Sequence, residues 1–218
     1  MTLQEQLEKQ LTQVKGKISA ETQTVMEQAT IELINTGIAE QTLQVGDTLP
    51  PISLPNAVGK TVNIQELLTQ GAVVISFYRG QWCPYCNLEL RALQQALPDI
   101  LANGASLVAI SPQTPDNSLS TTEKNELTFE VLSDIGNQVA KQLGLVFPLP
   151  EQLRPIYQNF GIDLPAHNGD TTFELPIPAT YVISRDGKVV QAFVNPDYTQ
   201  RIEPLSIIET LQKLQSNI

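Results

Sequence analysis

The sequence predicts a mixed α/β fold: a central mixed sheet with helices on both faces, preceded by an N-terminal helical extension. Three observations carry this. Compact apolar runs at residues 72–78 and 106–111 flank a helix-length segment, the pattern of parallel strands joined by a crossover helix. Two further runs, at 180–184 and 189–194, meet at Arg185-Asp-Gly-Lys188, a hairpin turn that adds antiparallel strands. Residues 1–40 carry a helical stripe instead of strand signals.

In chain order, Leu3, Leu7, Leu11, Val14 and Ile18 recur at steps of three and four and form one apolar helix face. Val25, Ala29 and Leu33 continue it in a second helix after the break at Lys15-Gly16-Lys17, and residues 35–37 read as a stop. This segment, 1–40, reads as a helical extension lying on the domain formed by 41–218; a homodimer contact is the alternative. From Val45 the chain is punctuated by Gly46-Asp47 and prolines at 50, 51 and 55, and residues 56–60 turn a short hairpin. The buried strand 72–78 runs into Arg79-Gly-Gln-Trp-Cys-Pro-Tyr-Cys86, and a helix follows to about residue 101. Strand 106–111 precedes Thr114-Pro115, an N-cap with proline at the first helical position. A short strand is expected at 129–132 and a helix at 135–143, ending at Gly144. Residues 147–178 read as irregular, with a helix near 153–160. A last helix begins near Pro204, with Leu205, Ile208, Leu211 and Leu214 on its buried face.

The chain has 218 residues, 41% hydrophobic and 17% charged, enough to bury a sizeable core without a disulfide staple. A formal charge of −10 argues against nucleic-acid or anionic-membrane partners, which attract basic surfaces. The first residues lack the basic start and apolar run of a signal peptide, and no stretch has the length of a membrane span, so the expected location is the cytosol.

The only two cysteines, Cys83 and Cys86, are separated by Pro84-Tyr85. Pro84 suits the first helical position, which puts Cys83 at the N-cap. There its sulfur faces unsatisfied N–H groups and the positive end of the helix dipole, both favouring thiolate. Cys86 continues to Leu90, Leu93 and Leu97 at steps of four, three and four, on the face that packs against the sheet. A buried thiol is a poor first attacker but is placed to close a disulfide onto an intermediate at Cys83. Three other readings stand beside this redox one. Cys86 is then a small core residue, or the pair belongs to a zinc site shared between chains, or it forms a structural disulfide. A single chain holds only His167 besides, too few ligands for zinc.

These residues carry a resemblance. Phe77-Tyr-Arg-Gly-Gln-Trp-Cys-Pro-Tyr-Cys86 after a buried strand resembles the thioredoxin superfamily. Val45-Gly-Asp-Thr-Leu-Pro50, Ser53-Leu-Pro55, Gly59-Lys-Thr-Val62, Ala109-Ile-Ser-Pro112, Leu132-Ser-Asp134 and Tyr181-Val-Ile-Ser-Arg-Asp-Gly-Lys188 are similar to peroxiredoxins of the alkyl hydroperoxide reductase/thiol-specific antioxidant group. The likeness spans roughly residues 45–214 and implies a thioredoxin-like fold. It aligns Cys83 with the peroxidatic cysteine, which attacks a hydroperoxide and becomes sulfenic acid, and makes Cys86 the resolving residue. Thioredoxin, glutathione or a similar thiol then restores the enzyme; no cofactor is implied. The chain departs from this family in three places. Gly80 stands where a Thr or Ser is usual, the upstream proline is missing from a shorter loop, and Gln191 stands at the position of a usual Arg. Arg79 and Arg201 are the candidates to replace that charge.

Pro-Tyr between the cysteines is the dipeptide of glutaredoxins, which makes thiol–disulfide exchange without peroxide the second reading. A redox sensor or an inter-subunit metal site is the third. Pro178 resembles the cis-proline that faces the active-site cysteine in thioredoxin folds; an ordinary trans-proline is the alternative. Trp82 either shields the site or simply packs, and Arg79 either holds the thiolate or is a solvated loop residue. Tyr85 is expected to shape the substrate groove, and His167 to be an exposed loop residue rather than a base.

Overall fold

The computed structural model describes residues 1–216. Helix α1 (Leu3–Lys15) starts in a capping box formed by Thr2 and Glu5, and α2 (Ala20–Asn35) is capped by Ser19. The expected opening hairpin is β1 (Ser53–Pro55) with β2 (Thr61–Asn63), followed by α3 (Ile64–Gln70). Next come β3 (Val73–Phe77), α4 (Pro84–Ala102), β4 (Ser106–Ser111), α5 (Pro115–Lys124) and β5 (Glu130–Ser133).

The helix expected at 135–143 is shorter. Gly136 and Asn137 take positive φ in a 3-10 turn, and α6 spans only Gln138–Gln142. The Asp134 carboxylate accepts from the N–H groups of Val139 and Ala140 at 3.0 and 2.9 Å and so fixes the late start. The stretch read as irregular holds β6 (Val146–Pro148), α7 (Arg154–Asn159), α8 (Leu164–Asn168) and β7 (Glu174–Pro176). β6 pairs antiparallel with β7. The hairpin strands β8 (Ala179–Ile183) and β9 (Val189–Val194) and the helix α9 (Pro204–Ser216) complete the chain.

The central sheet has the order β5-β4-β3-β8-β9. β3, β4 and β5 are parallel, and β8 and β9 join antiparallel. Successive side chains of β3 enter different cores, as a strand period of two requires. Val74 packs with α1, α4 and α9, whereas Val73, Ile75 and Phe77 pack with β1, β2, α3 and α6. On α9 the buried residues are Ile207 and Leu211; Leu205 is 64% exposed, against expectation. Ile207 and Leu211 sit four apart, and Ile208 and Leu214 widen that stripe, leaving Leu205 in the exposed first turn.

Helix α1 packs into the core of the described chain. Leu3 and Leu7 join the core beside Leu90 and Leu93 of α4. The N–H groups of Leu3 and Gln4 donate to the Glu203 carboxylate at 3.3 and 2.6 Å, which satisfies the start of α1 from the start of α9. α2 is carried over a third, smaller core, with Ala29 against Leu149, Leu153 and Tyr157. Among the described residues no helix is long and apolar enough to cross a membrane.

Candidate active site

β3 ends at Phe77 and α4 begins at Pro84, so residues 78–83 form the turn that presents the first cysteine. Cys83 is the N-cap of α4, with φ −84° and ψ 112°, and its Sγ accepts from the Cys86 N–H at 3.4 Å. Cys83 and Cys86 are free thiols, 1% and 0% exposed. Burial alone pushes the Cys83 thiol up. The Cys86 thiol, then the charges of Arg79 and Arg201 and the Cys86 N–H outweigh it and hold Cys83 down at about 6. Burial, the hydrogen bond to Cys83 and its negative charge push Cys86 well above the ordinary thiol range.

Two arginines, both candidates from the sequence, serve this pair, and neither is solvated. Arg79 donates to the Tyr157 hydroxyl. Its guanidinium lies 4.5 Å from the Tyr198 ring centre and 4.9 Å from that of Trp82. Among the described residues it has no carboxylate partner, so the developing Cys83 thiolate is the anion within its reach. Arg201 reaches the other sulfur: Nη2 donates to Cys86 Sγ at 3.3 Å, Nε is ion-paired with Glu89, and Nη1 donates to the carbonyls of Tyr198 and Gln200 at 2.7 Å each. Thr180 on β8 donates to Glu89 at 3.1 Å. Gln191 is not part of the cluster and donates to Ser206 Oγ at 2.9 Å.

Gly80 has φ +152°, and a Cβ placed there would lie 2.4 Å from Trp82 Nε1. The indole therefore occupies the space a side chain would need. Tyr85, 3% exposed, packs edge-on to Tyr198 with ring centres 5.6 Å apart. A cavity of about 500 Å³ opens onto Cys83, lined on one side by Arg79, Trp82 and Tyr85 and on the other by Val14, Ile18 and Met26 of the extension. A second cavity of about 620 Å³ shares Met26, Arg79, Tyr157 and Tyr198 with it.

Pro178 lines that second cavity, and no peptide bond among the described residues is cis. The cis expectation is thus corrected. Only Ile177 and Pro178 separate β7 from β8, and the trans bond, favoured by about 0.5–1 kcal/mol, carries the extended chain between them. His167 is half-buried and pairs with Asn117, its Nδ1 3.3 Å from Oδ1, outside the cavity that holds Cys83.

Sequence reasoning missed Glu89, Tyr157, Thr180 and Tyr198. Glu89 alone left a signal. It follows Cys86 by three on a helix face otherwise filled by leucines, and a carboxylate there needs a buried partner.

Residues 45–192 match the model of the AhpC/TSA family. The chain is 31% identical over 103 residues to Peroxiredoxin Bcp of Escherichia coli K12, covering 47% of this chain and 65% of that protein's length. It is 30% identical over 172 residues to the chloroplastic Peroxiredoxin Q of Sedum lineare, covering 78% and 77%. The fold is similar to that of Peroxidoxin BcpB from Mycobacterium tuberculosis, with TM-score 0.62, 22% identity and coverage of 80% and 97%. Since the family match runs from the loop before β1 into β9 and encloses both cysteines, the chain belongs to the AhpC/TSA family.

Proposed function

We propose that the protein is a thiol-dependent peroxidase of the peroxiredoxin type, in which Cys83 reduces hydroperoxides and Cys86 resolves. The observation that carries this reading is the unequal pair of thiols. Cys83 sits at a helix N-cap in a cavity it shares with Arg79, which has no carboxylate partner among the described residues, and Cys86 is buried behind it on a second arginine. The Cys83 thiolate attacks the outer oxygen of ROOH. An S–O bond forms, the O–O bond breaks, and the alkoxide leaves with a proton as ROH. Cys86 then displaces the sulfenic hydroxyl as water and closes the disulfide. A thiol reductant, thioredoxin or glutathione, returns both sulfurs to thiols, and the reaction takes place in the cytosol. The helical segment 1–40 acts as an extension of the catalytic domain 41–218 and covers its mouth.

Stopped-flow tryptophan fluorescence of the reduced protein mixed with hydrogen peroxide tests this. Trp82 is the only tryptophan and it adjoins Cys83. A fast change that scales with peroxide and vanishes in Cys83→Ser is the expected result. The absence of a side chain at residue 80, where a hydroxyl is usual in the family, favours a second reading: thiol–disulfide exchange without peroxide. No response to peroxide together with a rapid response to oxidised glutathione would select it.

A further inference from the structure

We infer that Arg201 is a catalytic residue of disulfide closure, carrying the negative charge of Cys86 as it attacks, and that Glu89 is its positioning residue. This rests on Cys86 being the resolving thiol.

Arg201 and Glu89 are 1% and 2% exposed, and their pairing is a poor device for stability alone. Two buried charges lose hydration that an apolar pair of the same volume would not need. What distinguishes this pair is the sulfur at its end. Arg201 is fixed on three sides: Nε by Glu89, and Nη1 by the carbonyls of Tyr198 and Gln200. The edge left free, Nη2, points to Cys86 Sγ at 3.3 Å. Glu89 is fixed in turn by Thr180, so sheet and helix together aim the guanidinium at one atom.

The chemistry needs such a group. Cys86 is fully buried, and the charged or ionisable groups that face it are Cys83, Arg201, Arg79, Tyr78, Tyr157 and Glu89. Glu89 opposes a second anion throughout and Cys83 does so in the reduced protein, while burial keeps Tyr78 and Tyr157 as neutral phenols. Arg79 is committed to Tyr157 and to the aromatic rings beside Cys83, which leaves Arg201 as the cation in contact with the Cys86 sulfur. In closure, the Cys86 thiolate attacks the Cys83 sulfenic sulfur, the S–S bond forms and the S–O bond breaks. The departing hydroxide takes the proton that Cys86 gave up, so one water leaves and no net charge is created. When a dithiol later attacks Cys83 in the disulfide, Cys86 departs as a thiolate onto the same Nη2.

The test is a pH titration of the reduced full-length protein carrying cysteine labelled with ¹³C at Cβ, read by NMR, beside rapid-quench measurement of sulfenic acid turning into disulfide. Glu89→Gln keeps the shape and an oxygen that accepts from Arg201 Nε, so it retains the positioning and removes only the competing anion. The Cys86 midpoint should fall by about one pH unit and closure should quicken roughly tenfold at neutral pH. Arg201→Met combined with Glu89→Gln removes the cation without stranding a carboxylate. There the midpoint should rise by about one unit or more and closure should slow at least roughly tenfold. A merely structural role would move both variants the same way, and that result overturns the inference. If the double variant does not fold, Glu89→Gln decides alone: a Cys86 midpoint that does not fall overturns it. The titration needs no peroxide. Wild-type protein that fails to consume peroxide defeats the peroxidase reading, whereas unmoved midpoints in a working peroxidase defeat only this one.

Discussion

A Cβ atom on Gly80 would lie 2.4 Å from the indole nitrogen of Trp82. Two residues that lead into the nucleophile therefore exclude one another, and a residue other than glycine at 80 requires the tryptophan to leave. Gly80 also has φ +152°, which side chains rarely adopt. Gly80→Ser should destabilise the protein by about 1–3 kcal/mol and shift the tryptophan emission. Denaturant unfolding followed by fluorescence checks this, and a variant with wild-type midpoint and spectrum would refute the exclusion.

Cys83→Ser should abolish peroxide consumption. Cys86→Ser should consume about one equivalent and then stall or over-oxidise, because the sulfenic acid has lost its partner. Mass spectrometry of the protein after one addition of peroxide separates the cases. Normal cycling of Cys86→Ser with a dithiol would show that Cys86 is dispensable.

The Cys83 thiol is held at about 6, so its thiolate should fade as pH falls through that value. The sign follows from the cations. Arg79 and Arg201 stabilise the charged form, and losing either disfavours it. Arg79→Gln should move the midpoint of the ultraviolet thiolate absorbance upward and slow the reaction with peroxide at pH values between the two midpoints. The same linkage acts on folding. A thiol whose folded value is depressed adds stability above its unfolded value, and that contribution is lost as pH falls through about 6. A midpoint that stays put in Arg79→Gln would remove Arg79 from the account.

Leu7 is 2% exposed, in the core shared by α1 and α4. Leu7→Ala should cost about 2–5 kcal/mol by deleting buried methyl groups and leaving a void. Because α1 leads into the wall over Cys83, the same change should speed alkylation of Cys83 in the folded protein. Unaltered alkylation in a clearly destabilised variant would mean that the extension does not limit access.

Much of this was legible in the sequence because it is local. The β-branched run, the helix stripe and proline after Cys83 act over a few residues, and they fixed the N-cap cysteine and its buried partner. The small β6–β7 sheet was not legible, since its strands have three residues each and lie far apart in the chain. Nor was the Glu89–Arg201 pair, which joins residues 112 positions apart. Arg201 was visible as a spare cation without an address, and only the folded chain brings it to Cys86. The extension was read as lying on the domain. That Val14, Ile18 and Met26 wall the cavity of Cys83 depends on where α1 and α2 cross, which no periodicity reveals.

The bond between the start of α1 and Glu203 spans about the whole chain, 199 positions from Gln4. A ribosome makes the chain from the other end, so the first helix is complete long before its anchor exists. Contacts of such separation form late. The bulk of α1 packs on α4, made much earlier, so what arrives late is only the cap: the first turn keeps bare N–H groups until Glu203 has been added, and the end of this helix stays frayed while its body is already seated.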